Sequence, residues 1–330
     1  MNNCNFCNTP LPLEDSLFCP YCGEKLQKED SCAVCGRPYL SGAAFCDRCG
    51  TPVGSDIPRA ASAGEGVGSS AFDPLGERDD HGKVYHTREL PLGIVYEDWA
   101  LIHGGGFQMG APDAEVGRFC CERQHQVELN SFELLKTPVT FTMYDAYCDV
   151  HDIIKPKDEG WGRDSRPVIN ISYWDALGYC SWLRKVTGWQ IRLATEAEWE
   201  YACRAGTETP FSTGDNITSD QANFDGTIIY GWGSRGIKRG KTTPVGEFDP
   251  NPWGLYDMHG NVWEWCSSEY EDDYKGLELL SACRAVDNYN PRVVRGGSWY
   301  NVPGSLRSAS RNKLAPDLHF LKVGFRIVRE

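Results

Sequence analysis

Apolar and polar positions along this chain sustain few long helical patterns. Two helices are predicted, one from Tyr173 to about Thr187 with Ser172 as its cap, the other from Thr195 to about Ala205. The second opens with Thr195-x-x-Glu198, a capping box in which the Thr and Glu side chains each satisfy a free first-turn amide. Short strands are predicted at Pro138-Val139-Thr140, Val168-Ile169-Asn170 and Gly324-Phe325-Arg326-Ile327-Val328. Loops dominate elsewhere, so Trp and Tyr contacts must hold much of the fold together. No stretch approaches the roughly 18 consecutive apolar residues that a membrane helix needs.

Composition divides the chain into three parts. Residues 1–53 are rich in Cys, Gly and Pro, and residues 54–83 contain an Ala/Gly/Ser run, from Ser55 to about Arg78, with almost nothing to bury. That run reads as a flexible linker. Residues 84–330, dense in Trp, Tyr, Gly and Pro, are expected to form one irregular α+β domain. With 330 residues, 41% hydrophobic and 24% charged, the chain can build one sizeable core plus a small module.

The formal charge of −13 opposes nonspecific attraction to nucleic acid, and residues 1–56 are acidic themselves. The start, Met1-Asn2-Asn3-Cys4, lacks a basic region followed by an apolar one. A cytoplasmic protein with no membrane and no nucleic-acid partner is therefore expected.

Eight of the fifteen cysteines form two quartets. Cys4, Cys7, Cys19 and Cys22 make the first, and Cys32, Cys35, Cys46 and Cys49 the second. Each Cys-x2-Cys turn lets two thiolates reach one ion, and two turns complete a closed tetrahedral Zn²⁺ site with no open position for catalysis. Two structural zinc ions are expected, replacing the core that so small a module cannot bury. The ribbons read as a docking or assembly device whose partner the sequence does not name. The seven later cysteines are an odd set that suits reduced thiols better than a disulfide framework.

The run Arg192-Leu193-Ala194-Thr195-Glu196-Ala197-Glu198-Trp199-Glu200-Tyr201-Ala202 precedes Gly254-Leu255-Tyr256-Asp257-Met258-His259-Gly260-Asn261-Val262-Trp263-Glu264-Trp265. Arg295-Gly296-Gly297-Ser298-Trp299 and Gly324-Phe325-Arg326 follow. In this order the motifs resemble the formylglycine-generating enzyme (sulfatase-modifying factor) family. The resemblance covers roughly residues 95–330 and implies a variant of the C-type lectin fold. Without any chemistry, Trp199, Trp263 and Trp265 serve as large rigid fillers of a loop-rich core.

The resemblance also implies a test of activity. The family's catalytic members oxidise a substrate cysteine with copper held by two cysteines shortly after Gly-Gly-Ser-aromatic. Here Asn301 stands at the first of those positions and the second has no counterpart, so no copper is expected, because Cu(I) seeks thiolates. The family's iron-dependent sulfoxide synthases draw ligands from a histidine-rich helical domain that is absent here. The competing reading is a metal-dependent oxidase or oxygenase that uses some other site. Structural calcium is implied at Asn261, Val262 and Glu264, with the Val262 carbonyl as third oxygen. A second family calcium site would begin at Asn223, but lacks its downstream acid between Arg235 and Lys241.

Without the reaction centre, Tyr300 to Lys322 becomes a surface framed by rigid motifs. The segment resembles the variable region of proteins diversified by retroelements. Tyr300, Asn301, Val302, Gly304, Ser305, Ser310, Leu314, Ala315, Leu318, His319, Phe320 and Leu321 are the expected ligand-binding positions. Apart from Asn301 itself, the residue types at these positions are all reachable from an AAC asparagine codon by changing adenines, whereas Lys313 and Lys322 are not. A protein or other macromolecular ligand, bound without catalysis, is the expected partner.

Overall fold

A computed structural model of the chain describes residues 98–281 and 290–330, plus the backbone of a two-residue antiparallel pair, β1 (Glu77–Arg78) and β2 (Val84–Tyr85). The eight ribbon cysteines, Cys283 and nearly all of the linker lie outside the described residues.

The first half of the domain contains β3 (Trp99–Ile102), β4 (Gly105–Met109), β5 (His125–Leu129), β6 (Phe132–Leu135), α1 (Phe141–His151) and α2 (Tyr173–Thr187). Then come β7 (Ile191–Leu193), α3 (Glu196–Arg204), β8 (Trp263–Glu269) and β9 (Arg292–Arg295). β10 (Arg311–Leu314), β11 (Val323–Phe325) and β12 (Ile327–Arg329) complete it. Two four-stranded sheets result, ordered β10-β9-β8-β11 and β3-β6-β12-β7, beside a β4-β5 hairpin. This is the expected α+β arrangement.

Both predicted helices form where their caps place them. Ser172 and Asp175 make a reciprocal capping box for α2, which ends at Gly188 in the left-handed region. Thr195 and Glu198 do the same for α3. Helix α1 was not predicted. Thr140 caps it without a returning carboxylate, and its first turn carries no acid. Its buried Phe141, Tyr144, Tyr147 and Cys148 share one face. Tyr144 stacks on Tyr179 of α2 with centroids 5.7 Å apart, and Tyr179 meets Phe325 of β11 edge-on at 5.5 Å. Trp263 and Trp265 are buried in the same cluster, and Trp199 in its neighbour.

The predicted strand Gly324 to Val328 is in fact two. β11 runs parallel to β8, whereas β12 pairs antiparallel with β6 and β7 in the other sheet. Arg326 sits at the change-over, donating to the carbonyls of Leu135 at 3.0 Å, Lys136 at 2.6 Å and Tyr256 at 2.7 Å. Its guanidinium turns inward and holds the two sheets together. The segments predicted as strands at Pro138–Thr140 and Val168–Asn170 meet only through a Thr140–Pro167 bridge and a Val168 N–H to Val139 carbonyl bond of 2.9 Å. Pro138 and Pro167 have no N–H, so no ladder extends through them.

Charged groups run through this interior. Arg311 grips Glu196 at 2.8 and 2.7 Å, Arg204 reaches Glu200 at 2.8 Å, and Arg295 bridges to Glu200. Such pairs add little net stability, but loss of one partner strands a buried charge. Among the described residues, no helix is long and apolar enough to cross a membrane.

Candidate functional site

The face expected to bind begins where β9 ends. Gly297 has φ +75, and a Cβ there would stand 2.8 Å from Leu306 Cδ1 and 2.9 Å from the Ser305 carbonyl. Only glycine lets the 3-10 turn Pro303–Leu306 lie so close. Trp299 packs edge-on against Trp161 with centroids 5.2 Å apart.

Three further contacts fix the turn. The Ser212 backbone N–H donates to His259 Nε2 at 3.0 Å, so Nδ1 carries the proton and donates to the Leu306 carbonyl at 2.7 Å. Burial pushes His259 down to about 4, keeping the ring neutral. Arg307 grips Glu122 at 2.7 and 2.8 Å and Glu115 at 2.7 Å. Ser308 N–H donates to the Pro210 carbonyl at 2.7 Å. The segment is thereby bolted to buried groups of the core.

Of the expected ligand-binding positions, Tyr300, Val302, Leu318, His319 and Leu321 are exposed. Asn301, Gly304, Ser305, Leu314, Ala315 and Phe320 are half-buried, and Leu314 and Phe320 pack against the core. Ser310 is a correction. It is 2% exposed, its carbonyl accepts from Arg295 and its N–H donates to the Arg307 carbonyl, so it cannot meet a ligand.

Asn301 does structural work. Its Oδ1 accepts from Trp263 Nε1 at 2.9 Å and Ser298 Oγ at 2.6 Å, while its carbonyl accepts from Asp225 N–H at 2.9 Å. Cys203 does reach this segment, lying 3.6 Å from Ser308 Oγ and 3.8 Å from each His259 ring nitrogen. Burial pushes its thiol up to about 12, so it stays protonated. These residues do not fit a two-thiolate copper site.

The calcium donors do not fit either. Asn261 Oδ1 accepts from Asn223 Nδ2 at 3.2 Å and Thr243 N–H at 2.9 Å, and its Nδ2 donates to the Thr243 carbonyl and Asp257. Both Glu264 oxygens are held by Arg326, and Trp199 Nε1 donates to one of them at 2.8 Å. Val262 is buried beside Gly324. A guanidinium occupies the carboxylate that a cation would need. At Asn223, whose Oδ1 is buried without a hydrogen-bond partner, Arg235 to Lys241 supplies no acid. Among the described residues, no three His, Cys, Asp or Glu side chains cluster as metal ligands.

The structure adds two features to the face. His319 Nε2 lies 2.9 Å from Asp175 Oδ2, a bond that raises the imidazole above its ordinary value. Tyr300 has Lys238 and Lys322 ammonium groups 5.2 and 5.3 Å from its ring centroid. Lys238 comes from a loop that sequence reasoning left aside; its signal was a run of bases at Arg235, Lys238, Arg239 and Lys241.

Comparison with known proteins agrees with this architecture. The model of the sulfatase-modifying factor enzyme 1-like domain matches residues 93–330, and that of the double zinc ribbon matches residues 4–50. A serine/threonine-protein kinase, pkn1 of Chlamydia caviae, is 30% identical over 264 residues, which are 71% of this chain and 38% of that protein. Formylglycine-generating enzymes are also among the curated relatives. The chain spans about two-fifths of the length of the pkn1 relative. The solved structure of PvdO from Pseudomonas aeruginosa superposes with a TM-score of 0.61 at 33% identity, covering 70% of this chain and 94% of that one. Variable protein 1 of Treponema denticola shares the fold, with a TM-score of 0.56 at 22% identity over 70% of this chain and 94% of that one.

Proposed function

The chain belongs to the family of sulfatase-modifying factor enzyme 1-like domains, and within it we propose a non-catalytic binding protein of the cytoplasm. Zinc ribbons in residues 1–53 dock or assemble it, residues 54–83 link, and residues 84–330 present a recognition face. The ligand is a protein or other macromolecule that meets Tyr300, Val302, Leu318, His319 and Leu321.

The observation that carries this reading is the engagement of Asn301. At the position where catalytic relatives are expected to offer a copper thiolate, an amide is spent on Trp263 and Ser298. Beside it, Tyr300 has 55% of its surface exposed. A rigid scaffold with aromatic and aliphatic side chains at its surface loses little entropy on binding. Kinase activity is not carried over from pkn1, of which the chain spans only 38%.

The deciding experiment is metal analysis of the purified full chain, followed by an assay on a cysteine-containing peptide with added Cu(I). Zinc without copper and no aldehyde product are expected. Sustained turnover would replace this reading with that of an oxidase built on a different site.

A further inference from the structure

We propose that the loop from Asp225 to Lys241 extends the recognition face, and that the partner it takes is an acidic polypeptide segment carrying a large apolar anchor. This rests on the recognition reading above through Tyr300, which both surfaces share.

The loop is built to present apolar groups rather than bury them. Its neck closes through Gly226 N–H to the Ile237 carbonyl at 3.1 Å and Gly236 N–H to the Gly226 carbonyl at 2.7 Å. A Cβ at Gly236 would fall 2.1 Å from Ser219 Oγ and 2.8 Å from its Cβ, so the neck admits only glycine there. Tyr230 turns inward, packing edge-on against Phe211 at 5.0 Å and donating to the Val116 carbonyl at 2.7 Å. The turn Tyr230–Gly233 leaves Trp232 with 99% of its surface in water. Ile228, Ile229 and Ile237 of the same loop are also exposed. A loop whose backbone is pinned from within, with a tryptophan and three isoleucines outside, offers a partner apolar anchors on a backbone that is already held before binding.

The neck of the loop adjoins Tyr300. Asp225 N–H donates to the Asn301 carbonyl at 2.9 Å, and Lys238 reaches over the Tyr300 ring. Exposed Val302 follows directly.

Charge selects the partner. Between Gly226 and Gly246 stand four bases, Arg235, Lys238, Arg239 and Lys241, and no acid, while Asp225 at the neck pairs with Lys238 at 2.6 Å, in a chain whose formal charge is −13. An extended polyanion such as nucleic acid or an anionic bilayer would meet the repulsion of the whole molecule. A short acidic segment meets the basic loop alone, since screening confines its reach to about 8 Å at physiological salt. Trp, Tyr and Arg are also the side chains that dominate protein interfaces.

The test is selection of a phage-displayed library of random twelve-residue peptides on the full chain. Enriched peptides should carry two or more Asp or Glu beside Trp, Phe or Leu, and should bind more weakly as salt rises. Trp232→Ala, and separately Arg235→Glu with Lys241→Glu, should each weaken them at least about tenfold with the thermal midpoint unchanged, because these side chains are exposed. Absence of enrichment, basic or uncharged consensus peptides, or indifference to Trp232 would overturn the proposal. So would Trp232-dependent pelleting with phosphatidylserine vesicles that acidic peptides cannot compete away. Peptides lost on Tyr300→Ala but not on Trp232→Ala would defeat the loop's role and leave the recognition reading standing. Copper-dependent oxidation of a cysteine peptide would defeat that reading instead.

Discussion

Arg326 holds Glu264 with Nε 3.1 Å from one carboxylate oxygen and Nη2 2.9 Å from the other, and neither side chain reaches solvent. The pair ties the junction of β11 and β12 to β8, and Trp199 adds α3 through its indole N–H. Removing one member strands the other's charge in the interior. Arg326→Met is expected to cost about 3–5 kcal/mol, read from urea unfolding midpoints. A loss below about 1 kcal/mol would mean that the pair does not organise the core.

His259 couples stability to acid. Its folded value, pushed down by burial to about 4, lies below the ordinary value near 6.5, so the unfolded chain takes up this proton first. The stabilisation is complete above about 6.5 and is lost as pH falls towards 4. The shift corresponds to a ceiling of roughly 3 kcal/mol. His259→Gln should flatten that part of the stability profile, measured by chemical denaturation from pH 7 to pH 4. An unchanged slope would count against burial of the neutral His259 ring as the source.

His319 carries the opposite sign. The bond to Asp175 raises its folded value, so its contribution is full below about 6.5 and disappears as pH rises through the raised value. For Asp175, burial works against the charge, but bonds from His319 and Ser172 outweigh it and hold the carboxyl below its ordinary value. Proton NMR of the His319 ring should show a titration midpoint above that of a free imidazole. Asp175→Asn should bring it back down, and no difference between the two proteins would rule out the pairing.

The cysteine quartets predict two zinc ions per chain by native mass spectrometry, falling to one when Cys19 or Cys46 is replaced by serine. Finding none would end the ribbon assignment.

What this chain's sequence determines by itself is short-range. Ser172 with Asp175 and Thr195 with Glu198 are three residues apart, so the caps of α2 and α3 form from local geometry alone. The Cys-x2-Cys spacing marks the double zinc ribbon matched over residues 4–50 in the same local way, and ordered motifs pointed to the sulfatase-modifying factor family. Helix α1 escaped notice because Thr140 caps it without a second acidic signature. Tertiary structure alone decided the rest. Arg326 finds Glu264 across 62 positions and Arg307 finds Glu122 across 185. Ser310 and Leu318 look alike as loop residues, yet one is sealed under Arg295 and the other faces water. Burial and partner choice depend on which distant segment arrives alongside, and that is set by how the two sheets close on one core, not by any residue's immediate neighbours.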